Sequence, residues 1–165
     1  MRRPGTLLLL WVLGLQTPAA WGQEALQAYL QAAGTLLATY VQEQQAWNRY
    51  FTHVAPQQKV REQIAPQQAY RRFLSDVLAR WRQLPVVPSC RETHTLYELA
   101  LLCYGVAADF RLALLYSRAA WLAPAELTSF SEARARHYTT LGDAYFKQAA
   151  ATAQAQGCVP IPPRP

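Results

Sequence analysis

Hydrophobic positions recur along this chain at helical spacing from one end to the other. From Gln23 onward Leu26, Leu30, Ala33, Leu37, Tyr40, Gln44, Trp47, Phe51 and Val54 alternate in steps of 4 and 3, the seam of a long helix packing at a shallow angle on another. Tyr70, Phe73, Leu74, Val77, Leu78, Trp81 and Leu84 form one face of a second helix, predicted over Pro66 to Leu84. From His94 to Pro124 the chain is apolar on nearly every side. A helix without a solvent face of its own has to be covered by other segments, so this stretch organises the rest. A last helix carries Tyr138, Leu141 and Tyr145, then an Ala/Gln/Thr run to Gly157. No run alternates with the period of a strand. The expectation is an all-α protein, an antiparallel bundle of about four main helices.

Local signals set the expected boundaries. Val54-Ala55-Pro56-Gln57-Gln58 is echoed by Ile64-Ala65-Pro66-Gln67-Gln68. Each proline suits a first helical turn and disfavours helix in the residue before it. The first helix is therefore expected to end near His53, and the second to start at Pro66 after a short helical turn. Pro85 and Pro88 bracket a turn. Ser89 with Glu92, and Ser129 with Glu132, read as capping boxes opening the third and fourth helices.

The amino-terminal stretch changes the picture of where the protein works. Arg2 and Arg3 precede an apolar run from Thr6 to Leu15, and Ala20-Trp21-Gly22 is a small-x-small cleavage signature. This is the pattern of a secretory signal peptide, the run being too short to span a bilayer. The expected organisation is a signal peptide over 1–22, one helical domain over 23–157 and a Pro-rich tail over 158–165. The expected product is exported, periplasmic or extracellular, and not membrane-spanning after cleavage. Leu99 to Ala108 is apolar but short, and Asp109 and Arg111 follow it.

Charge is concentrated in one place. Of a formal net charge of +6, Lys59 to Arg91 holds seven basic residues against only Glu62 and Asp76. Tyr70, Arg71, Arg72, Arg80, Trp81 and Arg82 are the candidate binding residues: a basic helix with interleaved aromatics can meet an anionic lipid surface, a polyanionic glycan or an acidic protein. The competing reading is a solvated face, with Arg72, Asp76 and Arg80 forming a ladder of alternating sign. Nucleic acid is disfavoured as a partner of an exported chain.

Three cysteines in an exported chain point to one bridge and one leftover thiol. Cys103 reads as a buried mid-helix thiol. Cys90 and Cys158, before the third helix and after the fourth, fall at the same end of an up-down-up-down bundle and are the expected disulfide. Metal binding has one candidate face, Cys90, His94 and Glu98 at i, i+4, i+8, outweighed by a solvent-facing or capping role for His94. No GxSxG, HExxH or Gly-rich phosphate loop is present, and Glu92 and Glu98 face different sides of a helix. The sequence therefore gives no catalytic residue, no metal site and no cofactor.

Two stretches resemble the tetratricopeptide repeat, a helix-turn-helix unit. In Tyr138-Thr139-Thr140-Leu141-Gly142-Asp143-Ala144-Tyr145 the aromatic, Leu-Gly and Tyr fall at the family spacing. Such a glycine allows neighbouring helices to approach closely. Tyr97 and Tyr104, Asp109-Phe110 at a turn, Ala113, Ala120 and Pro124 give a second match, with Ala100-Leu101 in place of Leu-Gly. The resemblance implies a helix-turn-helix C-terminal half that turns between Gly105 and Asp109, and a groove for a protein or peptide. Asp143 stands where carboxylate-binding members commonly have Asn. The functional expectation is an exported, non-catalytic protein binding another macromolecule. The alternative is a binder of anionic surfaces or small ligands through the basic helix, and a small secreted enzyme ranks third.

Overall fold

Side-chain periodicity becomes four long helices: α1 (Pro18–Arg49), α2 (Val60–Arg82), α3 (Arg91–Ala119) and α4 (Ala125–Gln156). The computed structural model describes residues 18–121 and 124–159. Most of the expected leader (residues 1–17) and most of the expected tail (160–165) lie outside the described residues. A π-helical turn, Tyr50–Val54, and a 3-10 turn, Ala55–Gln57, join α1 to α2, and a 3-10 turn, Pro88–Cys90, leads into α3. No strand occurs among the described residues.

Polar contacts at the helix ends fix the topology. Arg82 meets Glu98 at 2.7 Å, while Arg61 donates to the Ala119 carbonyl at 3.4 Å, so α2 and α3 run antiparallel. Gln156 donates to Glu92 at 2.7 Å and Arg118 to Glu132 at 2.5 Å, so α3 and α4 do the same. The Tyr29 hydroxyl lies 3.3 Å from His94 Nδ1, and the Tyr70 hydroxyl donates to Gln44 at 3.0 Å. These place α1 beside α3, antiparallel to α2. The bundle is up-down-up-down.

The core follows the seams read from the sequence. Tyr29, Ala33, Leu37 and Tyr40 of α1 meet Tyr70, Leu74, Val77 and Trp81 of α2 and Leu96, Tyr97, Leu101 and Ala108 of α3. As its composition requires, α3 is buried on several sides, from Thr93 to Leu114. By length and hydropathy the segment Pro88–Ala119 could cross a membrane; here its apolar side chains pack on the neighbouring helices instead. It runs unbroken through residues 105–109, so the expected turn there is absent and the C-terminal hairpin is the α3–α4 pair, turned after Ala119. These two helices approach closely at Gly142, where an added Cβ would lie 2.7 Å from the Tyr104 ring.

Helix starts differ from the expectation in three places. The Glu62 carboxylate accepts the Lys59 backbone N–H at 3.2 Å, which starts α2 at Val60. Pro66 then sits inside the helix, where its missing N–H forfeits one intrahelical bond near the helix start. The Ser89 capping box does not form: the residue preceding α3 is Cys90, without a side-chain cap, and Glu92 is taken by Gln156. The Ser129 box does not form either. Pro124, with φ −56°, is already set for helix and opens α4 at Ala125, leaving Ser129 within it.

The expected disulfide is present. Cys90 and Cys158 are joined with a Cα–Cα distance of 5.6 Å. Gly157 ends α4 in the left-handed conformation at φ 66°, and the Cys158 N–H returns to the Ala153 carbonyl at 2.8 Å. This turn aims Cys158 at the start of α3. Cys103 is free and buried, and burial pushes its thiol pKa up.

Candidate functional site

The basic face expected on α2 is divided by the helix into two unlike sets. Tyr70, Leu74, Val77 and Trp81 share one buried stripe, and Tyr70 and Trp81 are 4% and 0% exposed. Neither is available to a partner. Their polar atoms are used internally: the Tyr70 hydroxyl donates to Gln44, and the Trp81 indole N–H donates to the His94 carbonyl at 3.0 Å. This corrects the expectation for both aromatics. A period-3.6 stripe that serves as core cannot also serve as a surface.

The arginines flank that stripe. Arg71 reaches Asp109 at 2.6 Å and also contacts Ser75, while Arg82 reaches Glu98 at 2.7 Å. Both tie α2 to α3, and part-exposed ion pairs of this kind contribute at most about 1 kcal/mol each. Arg72 and Arg80 are exposed. Among the described residues neither has a carboxylate within 4.0 Å, Asp76 included. The free cationic part of the face is these two guanidiniums, with Lys59 and Arg61 exposed at the start of the helix.

His94 also departs from its expected solvent-facing role. It is 7% exposed, its ring stacks on Trp81 with centroids 4.9 Å apart, and it lies beside Tyr29. Burial lowers its pKa below the usual 6.5, opposed in part by the Glu98 charge. With Cys90 in the disulfide and Glu98 on Arg82, the Cys90–His94–Glu98 face holds no ligand set. Among the described residues no three His, Cys, Asp or Glu side chains converge.

A different surface stands out at the end of the bundle opposite the disulfide. Of the seven large hydrophobic side chains most exposed among the described residues, Val54, Tyr116, Trp121, Leu127 and Phe130 lie at this end. Trp121 is 91% exposed, and its backbone is left-handed at φ 57°, a conformation costly for a bulky residue. The Arg134 guanidinium lies 5.2 Å over the Phe130 ring. Arg118 is paired with Glu132, and Glu126 adds a negative charge in the first turn of α4, so this end is aromatic without being strongly charged.

Sequence reading missed this surface because the period-3.6 pattern identifies which face is buried, not which helix end stays open. The available signal was the aromatic residue at each side of the α3–α4 turn. Compared with protein-family models, with curated proteins and with solved structures, the chain matches none.

Proposed function

We propose that this is an exported, non-catalytic binding protein that holds a protein partner on the aromatic end of the bundle. The observation that carries the reading is the near-complete exposure of Trp121, with Tyr116, Leu127 and Phe130 on the same end. Single exposed apolar residues are ordinary, whereas several large ones gathered at one place mark an interaction surface. Tyr, Trp, Phe and Arg are the residues enriched at protein interfaces. Glu126 and Glu132 at this end weigh against an anionic lipid surface, which would repel them. The disulfide accords with an oxidising compartment, and the tetratricopeptide resemblance favours the same class of partner.

A second reading, binding of an anionic lipid or glycan on α2, rests on Arg72 and Arg80, which are exposed and unpaired among the described residues. One comparison separates the two. A partner retained from extracellular fluid by the intact protein should be lost with Trp121→Ser and Phe130→Ser and kept with Arg72→Glu and Arg80→Glu. The opposite result, together with steep loss of retention on raising salt, would transfer the function to α2.

A further inference from the structure

In the half of the bundle away from the disulfide, one core layer is polar. A cavity of about 230 Å³ is lined by Tyr40, Tyr70, Tyr104, Gln44, Arg111 and Asp143, drawn from all four helices. Buried cationic and anionic side chains ordinarily satisfy each other or coordinate something. These two do not meet: Arg111 and Asp143 have no N–O distance within 4.0 Å. Each is only half engaged. Arg111 donates to the Thr139 hydroxyl at 3.1 Å, and Asp143 accepts from the Tyr104 hydroxyl at 2.8 Å. The guanidinium keeps further N–H donors and the carboxylate further lone pairs.

Tyr40 supplies an independent sign. Its side chain is 4% exposed and lines the cavity. Whereas Tyr70 and Tyr104 each donate a hydroxyl hydrogen bond, the Tyr40 hydroxyl has no partner among the described residues. Burial raises the pKa of Tyr40 and Tyr104, so both hydroxyls stay protonated donors at neutral pH. The Tyr40 and Tyr104 rings lie 6.3 Å apart and offer π-faces near Asp143, the combination that holds ammonium groups.

We propose that this cavity binds a small zwitterion. Its carboxylate is held by the Arg111 guanidinium and the Tyr40 hydroxyl, and its ammonium group by Asp143 and the tyrosine faces. The formal charges of Arg111 and Asp143 cancel, which matches a ligand carrying both signs and disfavours a simple anion or cation. At about 30 Å³ per water the space corresponds to roughly seven waters, the size of an amino acid or a betaine. This site is independent of the aromatic end and does not rest on the partner reading.

The test is calorimetric titration of the disulfide-bonded protein with L-alanine, L-proline, γ-aminobutyrate and glycine betaine, with acetate and tetramethylammonium as single-charge controls. Saturable binding of at least one zwitterion is expected, with neither control matching it. Arg111→Gln and Asp143→Asn should each weaken it at least about tenfold, as loss of a charged partner does. Tyr40→Phe keeps the ring in the core and removes only the hydroxyl, so it should weaken binding while leaving the helical circular dichroism and melting cooperativity intact. Absence of zwitterion binding up to about 10 mM, an affinity below the millimolar range, would overturn the proposal. Equal binding of acetate or tetramethylammonium, or unchanged affinity in all three variants, would overturn it as well.

Discussion

His94 and Trp81 are locked together twice: their rings stack with centroids 4.9 Å apart, and the Trp81 indole N–H donates to the His94 carbonyl at 3.0 Å. The pair joins the end of α2 to the start of α3, close to the disulfide, and the Tyr29 hydroxyl on α1 touches the same imidazole. A histidine that the sequence placed at a helix surface is thus part of a three-helix junction.

That junction makes stability depend on pH. Burial lowers the His94 pKa in the folded protein below 6.5, so the unfolded chain takes up the proton first as pH falls. Stability from this group is complete above about pH 6.5 and is lost as pH drops through the lower folded value. Melting temperatures measured on both sides of pH 6.5 should fall on the acid side for the wild type. His94→Gln should flatten that part of the profile, and an unchanged slope in the variant would assign the titration elsewhere.

Two helix glycines should respond in opposite directions to alanine. Both substitutions gain up to about 1 kcal/mol of helix propensity. At Gly105 the new Cβ would meet only the Arg71 side chain at 3.9 Å, so Gly105→Ala should be stabilising. At Gly142 it would lie 2.7 Å from the Tyr104 ring, which Asp143 and Tyr40 hold in place. Overpacking of this kind costs about 1 to 3 kcal/mol and outweighs the propensity gain. Gly142→Ala should therefore lower stability in chemical denaturation; a gain would mean that Tyr104 swings aside freely.

The Cys90–Cys158 bridge closes a separation of 68 residues, which in the chain-entropy model contributes on the order of 4 kcal/mol. Cys90→Ser with Cys158→Ser should lower the melting temperature by roughly 10 to 15 °C for a chain of this size. Alkylation under denaturing, non-reducing conditions should label only Cys103. Three labelled cysteines would show that no bridge forms.

Much of the fold was legible because its determinants are periodic. The α1 seam from Leu26 to Tyr40, the α2 stripe from Tyr70 to Trp81 and the all-round apolarity of α3 each state which side is buried. The disulfide followed from up-down-up-down order alone. Helix starts were less legible: Ser89 and Ser129 have the right neighbours for caps, but Pro88 and Pro124 set the backbone first. Which polar residues turn inward was not legible either. Arg111 and Asp143 read as solvated charges in sequence, and only the wide layer between four helices gives them a shared cavity. Conversely, Tyr70 and Trp81 looked like companions of the arginines because sequence adjacency hides the 100° turn between neighbouring helical residues.

The most direct measurement places a photoreactive benzophenone side chain at position 121 in one preparation and at position 72 in another, each exposed to extracellular fluid and irradiated. A saturable protein adduct from position 121, competed by unlabelled wild type and not by Phe130→Ser, is the result that partner binding on the aromatic end requires. Adducts from position 72 alone would contradict that reading and move the binding surface to α2.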